Sequence, residues 1–164
     1  MGYTHYWITF PRTAQFRAAW PAIVADSAAI TAEVTRRGVT LRGPHGTGAP
    51  VTGPDRICLN GPASDGDDGW GEAFDLTADP RPVRYQPPGL LRGAVWSFCK
   101  TGRNPYDLAV TAILLRASQH ATRHVRLRSD GSWDTDWLPA RDLIRTLFGA
   151  TTTTSPLGRG FPPT

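Results

Sequence analysis

The stretch from Pro105 to His120 constrains this chain more than any other segment. Leu108, Val110, Ile113, Leu114 and Leu115 spread apolar surface round most sides of a helix of that length. Such a helix is stable in water only if other elements cover it, so the rest of the chain must wrap round it. Its start is written in Asn104-Pro105-Tyr106-Asp107: Asn as N-cap, Pro at the first helical position, an acid in the first turn. A central buried helix from Pro105 to about His120 is the expectation.

The covering elements can be read on both sides of it. Tyr3-Thr4-His5-Tyr6-Trp7-Ile8-Thr9 is aromatic and β-branched, as a strand is. Phe16, Trp20, Ile23, Val24, Ser27, Ile30 and Val34 recur at helical spacing up to Gly38. Pro21 interrupts that pattern, so a leading turn or kink is expected there, with the main helix running from about Pro21 to Arg37. Val39 to Arg42, Arg56 to Asn60, Glu72 to Leu76, Ala94 to Phe98 and His124 to Arg128 read as strands, and Thr135-Asp136 as the cap of a last helix ended by Gly149. The glycine-rich Gly43 to Gly48 run precedes Ala49-Pro50 rather than a helix and lacks the lysine of a P-loop, so it reads as a hairpin or surface loop in which His45 is a weak site candidate. Asp65 to Gly71 lacks the spacing of a calcium loop and reads as a solvated turn. Thr77 to Gly93 is proline-rich and reads as a surface excursion. Strands and helices alternate without a βαβ rhythm, which indicates an α+β fold: a mainly antiparallel sheet with two to three packed helices in one domain over 1–149, followed by a Thr/Pro/Gly-rich tail, 150–164, without structure of its own.

Composition bounds the function classes. The chain of 164 residues is 40% hydrophobic and 20% charged, enough for one sizeable core. Net charge is +4, but the arginines are scattered from Arg12 to Arg159, so nucleic acid is the least expected partner. No run reaches a membrane span, and the first residues lack a secretion signal; Tyr6 stands where a myristoylation motif needs Ser or Thr. A cytoplasmic protein without membrane contact is expected. Cys58 and Cys99 have no metal or redox spacing and read as buried free thiols, and no motif calls for a metal or cofactor.

Lys100 is the one lysine against 17 arginines, and it stands at the end of an apolar strand, immediately before the central helix. A lysine ammonium is a compact charge whose pKa responds to its surroundings, and a helix N-terminus adds backbone donors for an anion. Lys100, Thr101 and Arg103 are therefore expected to grip an anionic group, with Gly102 allowing close approach. Tyr106, His5 and Trp7 are expected to stack on or close over an organic part. His5, Glu72 and Lys100 are weak candidates for proton transfer.

Met1-Gly2-Tyr3-Thr4-His5-Tyr6-Trp7 and Phe98-Cys99-Lys100-Thr101-Gly102-Arg103-Asn104-Pro105-Tyr106-Asp107 resemble a family of small uncharacterised proteins encoded by bacteria and their phages. That family's pattern has Ala and Lys where this chain has Gly102 and Asn104, which leaves Arg103 as the second cation of the motif. The resemblance implies a context and no mechanism. The leading expectation is a small binding protein for an anionic metabolite, a nucleotide or nucleotide-derived signal that a phage protein could sequester. The alternatives are an enzyme acting on such a ligand, and a protein-interaction module that inhibits a host enzyme through the 77–93 excursion.

Overall fold

The computed structural model describes residues 2–62, 71–82 and 85–158, so most of the acidic Asp65 to Gly71 loop, Val83 and Arg84 of the excursion, and the end of the tail lie outside the described residues. The elements follow in the order β1 (Thr4–Thr9), α1 (Ala14–Arg36), β2 (Val51–Thr52), β3 (Arg56–Leu59), β4 (Phe74–Thr77), β5 (Val95–Lys100), α2 (Asp107–His120), β6 (Val125–Ser129) and α3 (Leu138–Phe148). They build two antiparallel three-stranded sheets, ordered β5-β1-β6 and β2-β3-β4. The α+β expectation holds.

The central helix is where its composition requires it. Ala109 to Leu115 of α2 are all buried, as are Ala117 and Ser118, between α1, α3 and the inner face of the first sheet. Its two buried hydroxyls are satisfied locally: Thr111 donates to the Asp107 carbonyl (2.8 Å) and Ser118 to that of Leu115 (2.8 Å). Alternation along β1, β5 and β6 sends Trp7, Cys99, Val125 and Leu127 inward. Trp7 meets Phe74 of the second sheet at 5.3 Å between ring centroids, so one aromatic contact ties the two sheets together.

Four boundaries differ from expectation. First, α1 runs through Pro21 without a break. The Thr13 hydroxyl accepts from the Phe16 N–H, and Phe16 and Trp20 are anchored in the core, while the Trp20 indole donates to the Pro54 carbonyl. The donor missing at Pro21 is on the exposed side of the helix, where the carbonyl it leaves unpaired is not shut in the core. Second, Val39 to Arg42 is no strand but a single bridge, Arg42 to Asn60. Third, α2 begins at Asp107 rather than Pro105, because the Asn104 side chain donates to the Thr101 carbonyl (2.7 Å) and closes a turn ahead of the helix. Fourth, Asp136 does not cap α3: its carboxylate accepts from the Ser132 N–H and pairs with Arg103, and α3 starts at Leu138 behind Trp137. The tail also departs from its expectation up to Gly158, since Leu157 forms a parallel bridge with Leu127 and the Gly158 N–H donates to the Leu127 carbonyl (2.9 Å).

Candidate functional site

The corner between β5 and α2 is built from two consecutive left-handed residues, Gly102 (φ 59°) and Arg103 (φ 60°), which turn the chain sharply before the helix. Thr101 is buried and donates to Asp107 Oδ1. The same oxygen accepts from His5 Nε2 at 2.7 Å. On the other side of the imidazole, Nδ1 lies 2.9 Å from Ser129 Oγ, which in turn accepts from the Gly131 N–H at 2.8 Å. One chain of hydrogen bonds thus runs Gly131, Ser129, His5, Asp107, Thr101 and ties β1, β6, β5 and α2 to one another. Tyr3 and Trp137 approach the imidazole edge-on, at 5.0 and 5.4 Å.

Ser129, His5 and Asp107 are the residue types of a nucleophile relay, but the surroundings are those of a structural pin. His5 is fully buried, and neither cavity described below is lined by Ser129 or His5. The serine oxygen is already occupied by a backbone N–H. The neighbourhood is closed further by Arg103, whose guanidinium lies 4.1 Å from the Tyr3 ring centroid while pairing with Asp136. That pairing holds the Asp136 carboxyl below the usual range. Burial, then the carboxylates of Asp107 and Asp136, push the Tyr3 hydroxyl upward. A Cβ on Gly131 would stand 2.3 Å from the Tyr3 hydroxyl oxygen, so that position needs glycine.

The residues expected at an anion site divide between the two faces of the sheet. His5 and Thr101 meet at Asp107, inside. Trp7 is core, and Tyr106 is buried, donating its hydroxyl to the Glu72 carbonyl at 2.9 Å. Arg103 is exposed but engaged by Asp136 and Tyr3. Lys100 is exposed on the opposite face, its stem against Gly2, because it pairs with Thr4 while His5 pairs with Cys99 one position along. Glu72 does reach Lys100, through the backbone: the Glu72 N–H donates to the Lys100 carbonyl (2.7 Å) and its carboxylate accepts from the Lys100 N–H (3.1 Å). His5, Glu72 and Lys100 therefore do not face one space. Cys99 and Cys58 are buried free thiols. Burial raises both, Cys58 to about 11 and Cys99 further, the reverse of an activated nucleophile. His45 is exposed in its glycine-rich turn.

A set of residues on the outer face of the first sheet was not singled out from the sequence. In the order β5-β1-β6, Phe98, Tyr6 and Arg128 lie side by side in one row, and Trp96, Ile8 and Arg126 in the next. Lys100 and Thr4 continue the pattern at one end. Trp96 is 9% exposed and forms the base of an aromatic group: Phe98 lies at 5.0 Å, Tyr6 stacks at 6.1 Å, and Tyr85 from the excursion stands edge-on at 6.2 Å. The Gln86 amide fixes that excursion by bonding both backbone groups of Trp96, at 3.2 and 3.1 Å. Phe98 and Tyr85 remain 40% and 65% exposed. Arg128 lies 5.9 Å from the Tyr6 ring and Arg126 5.4 Å from that of Phe10. Among the described residues, none of the Lys100, Arg126 and Arg128 side chains forms an ion pair with a carboxylate.

Two cavities are lined by described residues. One of about 350 Å³ is lined by Val39, Asn60, Gly61, Pro105 and Tyr106. The other, about 510 Å³, opens between the sheets, with Arg56, Asp75, Asp79 and Arg81 on one wall and Phe98 at its edge. Arg56 and Asp75 are paired there through two bonds of 2.9 and 2.8 Å. Among the described residues no cluster of side chains is arranged to hold a metal ion, and no helix is long and apolar enough to cross a membrane. No family model, curated protein or solved structure matches the chain.

Proposed function

We propose that the protein binds a ligand of the nucleotide class, a flat ring carrying an anionic group, on the outer face of the β5-β1-β6 sheet. The observation that carries this reading is the row Phe98–Tyr6–Arg128: a half-exposed ring, a second ring, and a guanidinium without a carboxylate partner, adjacent across three strands. Exposed aromatic rings next to unpaired cations favour a partner that is itself both flat and negative. A base stacked on an aromatic side chain contributes about 1–3 kcal/mol. An exposed guanidinium adds a salt-sensitive attraction to phosphate. Lys100, expected to grip the anion, keeps that role here, but with Arg126 and Arg128 rather than with the inward-facing Thr101 and the engaged Arg103. The reading requires binding and no turnover, which suits sequestration of a signal.

Isothermal titration with a panel of purine and pyrimidine mononucleotides tests it. Binding in the micromolar to millimolar range is expected, corresponding to about −4 to −8 kcal/mol. Phe98→Ala and Arg128→Ala should each weaken it about tenfold; the Phe98 ring also packs on Trp96, so its loss lowers the unfolding midpoint slightly while the fold is kept, and Arg128→Ala leaves the midpoint unchanged. Binding that survives both substitutions would place the ligand elsewhere and sink the reading.

A further inference from the structure

We infer that the natural occupant of this face is a single strand of nucleic acid rather than a free mononucleotide. The inference rests on the reading above and deepens it through distances. Lys100 and Arg126 lie two strands apart and four residues apart along the strand direction in the paired register. With strands about 4.8 Å apart and about 3.4 Å per residue, that diagonal between backbone positions is about 17 Å. A single phosphate cannot span the distance between the backbone positions that carry these two cations. A chain of phosphates can, and Arg126 and Arg128, two residues apart on β6, repeat at about 6.8 Å on one face, a spacing suited to successive phosphates of an extended strand.

More than one ring lies beside these cations, with Phe98 and Tyr85 exposed and Trp96 buried beneath them. Phe98 and Trp96 are two residues apart on β5, and Tyr6 and Tyr85 extend the aromatic surface on either side of Trp96. Several ring positions beside several cations match a polymer that alternates bases and phosphates. The exposed rings also select for single strands, since a flat sheet reaches the faces of splayed bases but not those stacked inside a duplex. The rings supply π-faces that stack on any base, so binding tolerates many sequences. The site covers about four nucleotides. Two carboxylates stand at the end of this face: Glu72 accepts from the Lys100 N–H (3.1 Å) and Asp130, two residues past Arg128, accepts from the Thr4 N–H (3.0 Å), and among the described residues neither pairs with the side chains of Lys100, Arg126 or Arg128.

Fluorescence anisotropy with a labelled oligouridylate of about ten nucleotides, a duplex of the same length, and uridine monophosphate as competitor tests the inference on the full chain. The single strand should bind at least tenfold more tightly than the duplex or the monophosphate. Its affinity should fall with salt with a slope near −2 in log–log form, for about three phosphates at about −0.7 each, and Arg128→Ala should reduce that slope by about 0.7. Phe98→Ala should weaken binding about tenfold at every salt concentration. If the monophosphate binds as tightly as the oligomer, the inference falls while the nucleotide reading stands. If neither binds, both fall. A duplex bound as well as the single strand, an oligomer affinity indifferent to Phe98→Ala, or a concentration-dependent dimer that Phe98→Ala abolishes would each overturn it.

Discussion

At the scale of single residues, Asp107 carries more of this structure than its position as a helix-start acid suggests. One carboxylate oxygen satisfies both the His5 ring and the Thr101 hydroxyl, two groups with no access to water. Replacing it with alanine leaves two buried donors unpaired, at about 1–3 kcal/mol each. Asp107→Ala is therefore expected to lower unfolding stability by about 2–4 kcal/mol in urea titration, and Asp107→Asn, which keeps an acceptor oxygen, by less than half of that. Equal losses for both would show that charge and not acceptance matters at this point. The sequence marks Asp107 as a residue of the helix start, but its partner His5 lies 102 positions away and only the β1–β5 pairing brings them together. For the same reason Asn104 does not cap α2. Its local signature is correct, yet the turn it closes belongs to the corner that presents Asp107 to His5.

At the scale of elements, α2 and β1 were legible because their patterns are extreme. A helix apolar on most sides and a terminal strand of aromatic and β-branched residues have few alternatives. α1 was legible in its period but not in its start, since a proline counts against a helix locally while the burial of Phe16 and Trp20 acts from outside the helix. The Thr13 cap is what makes those first turns worth forming. Thr13→Ala should cost about 1 kcal/mol, read as a shift in denaturation midpoint without a change in slope. A cost near zero would mean that the core contacts of Phe16 and Trp20 hold the helix start unaided. Short strands were the least legible elements. Val39 to Arg42 has strand composition but finds only one bridge, at Asn60, because β3 is already paired by β2 and β4 along Arg56–Leu59.

At the scale of the whole molecule, burial sets the response to alkali. Cys58 rises from an ordinary 9.0 to about 11, chiefly by desolvation, and Cys99, Tyr3 and Tyr106 are raised by the same cause. A group whose folded pKa lies above its unfolded value contributes stability that is complete below the unfolded value and is lost as pH rises through the folded one. Stability should thus hold up to about pH 9 and decline between about 9 and 11, measured by urea midpoints across that range. Ellman's reagent should leave both thiols untouched in the native protein at pH 8 and titrate both in denaturant; a thiol that reacts while the protein is native would contradict the burial of Cys58 or Cys99.

By itself the sequence determined what local physics determines: the buried helix, the strand faces through their period of two, the free thiols, and a single α+β domain. It also isolated Lys100. What it could not hold was adjacency. Tyr6, Phe98, Arg126 and Arg128 come from three strands spread over most of the chain, and their charges look scattered when counted along it. Only the order β5-β1-β6 makes them neighbours. That order is decided by long-range pairing and by which faces must cover α2, energies that no window of sequence contains. The same pairing turned His5 and Thr101 inward and left Lys100 outside, so the tertiary structure moved the candidate site from the corner to the sheet.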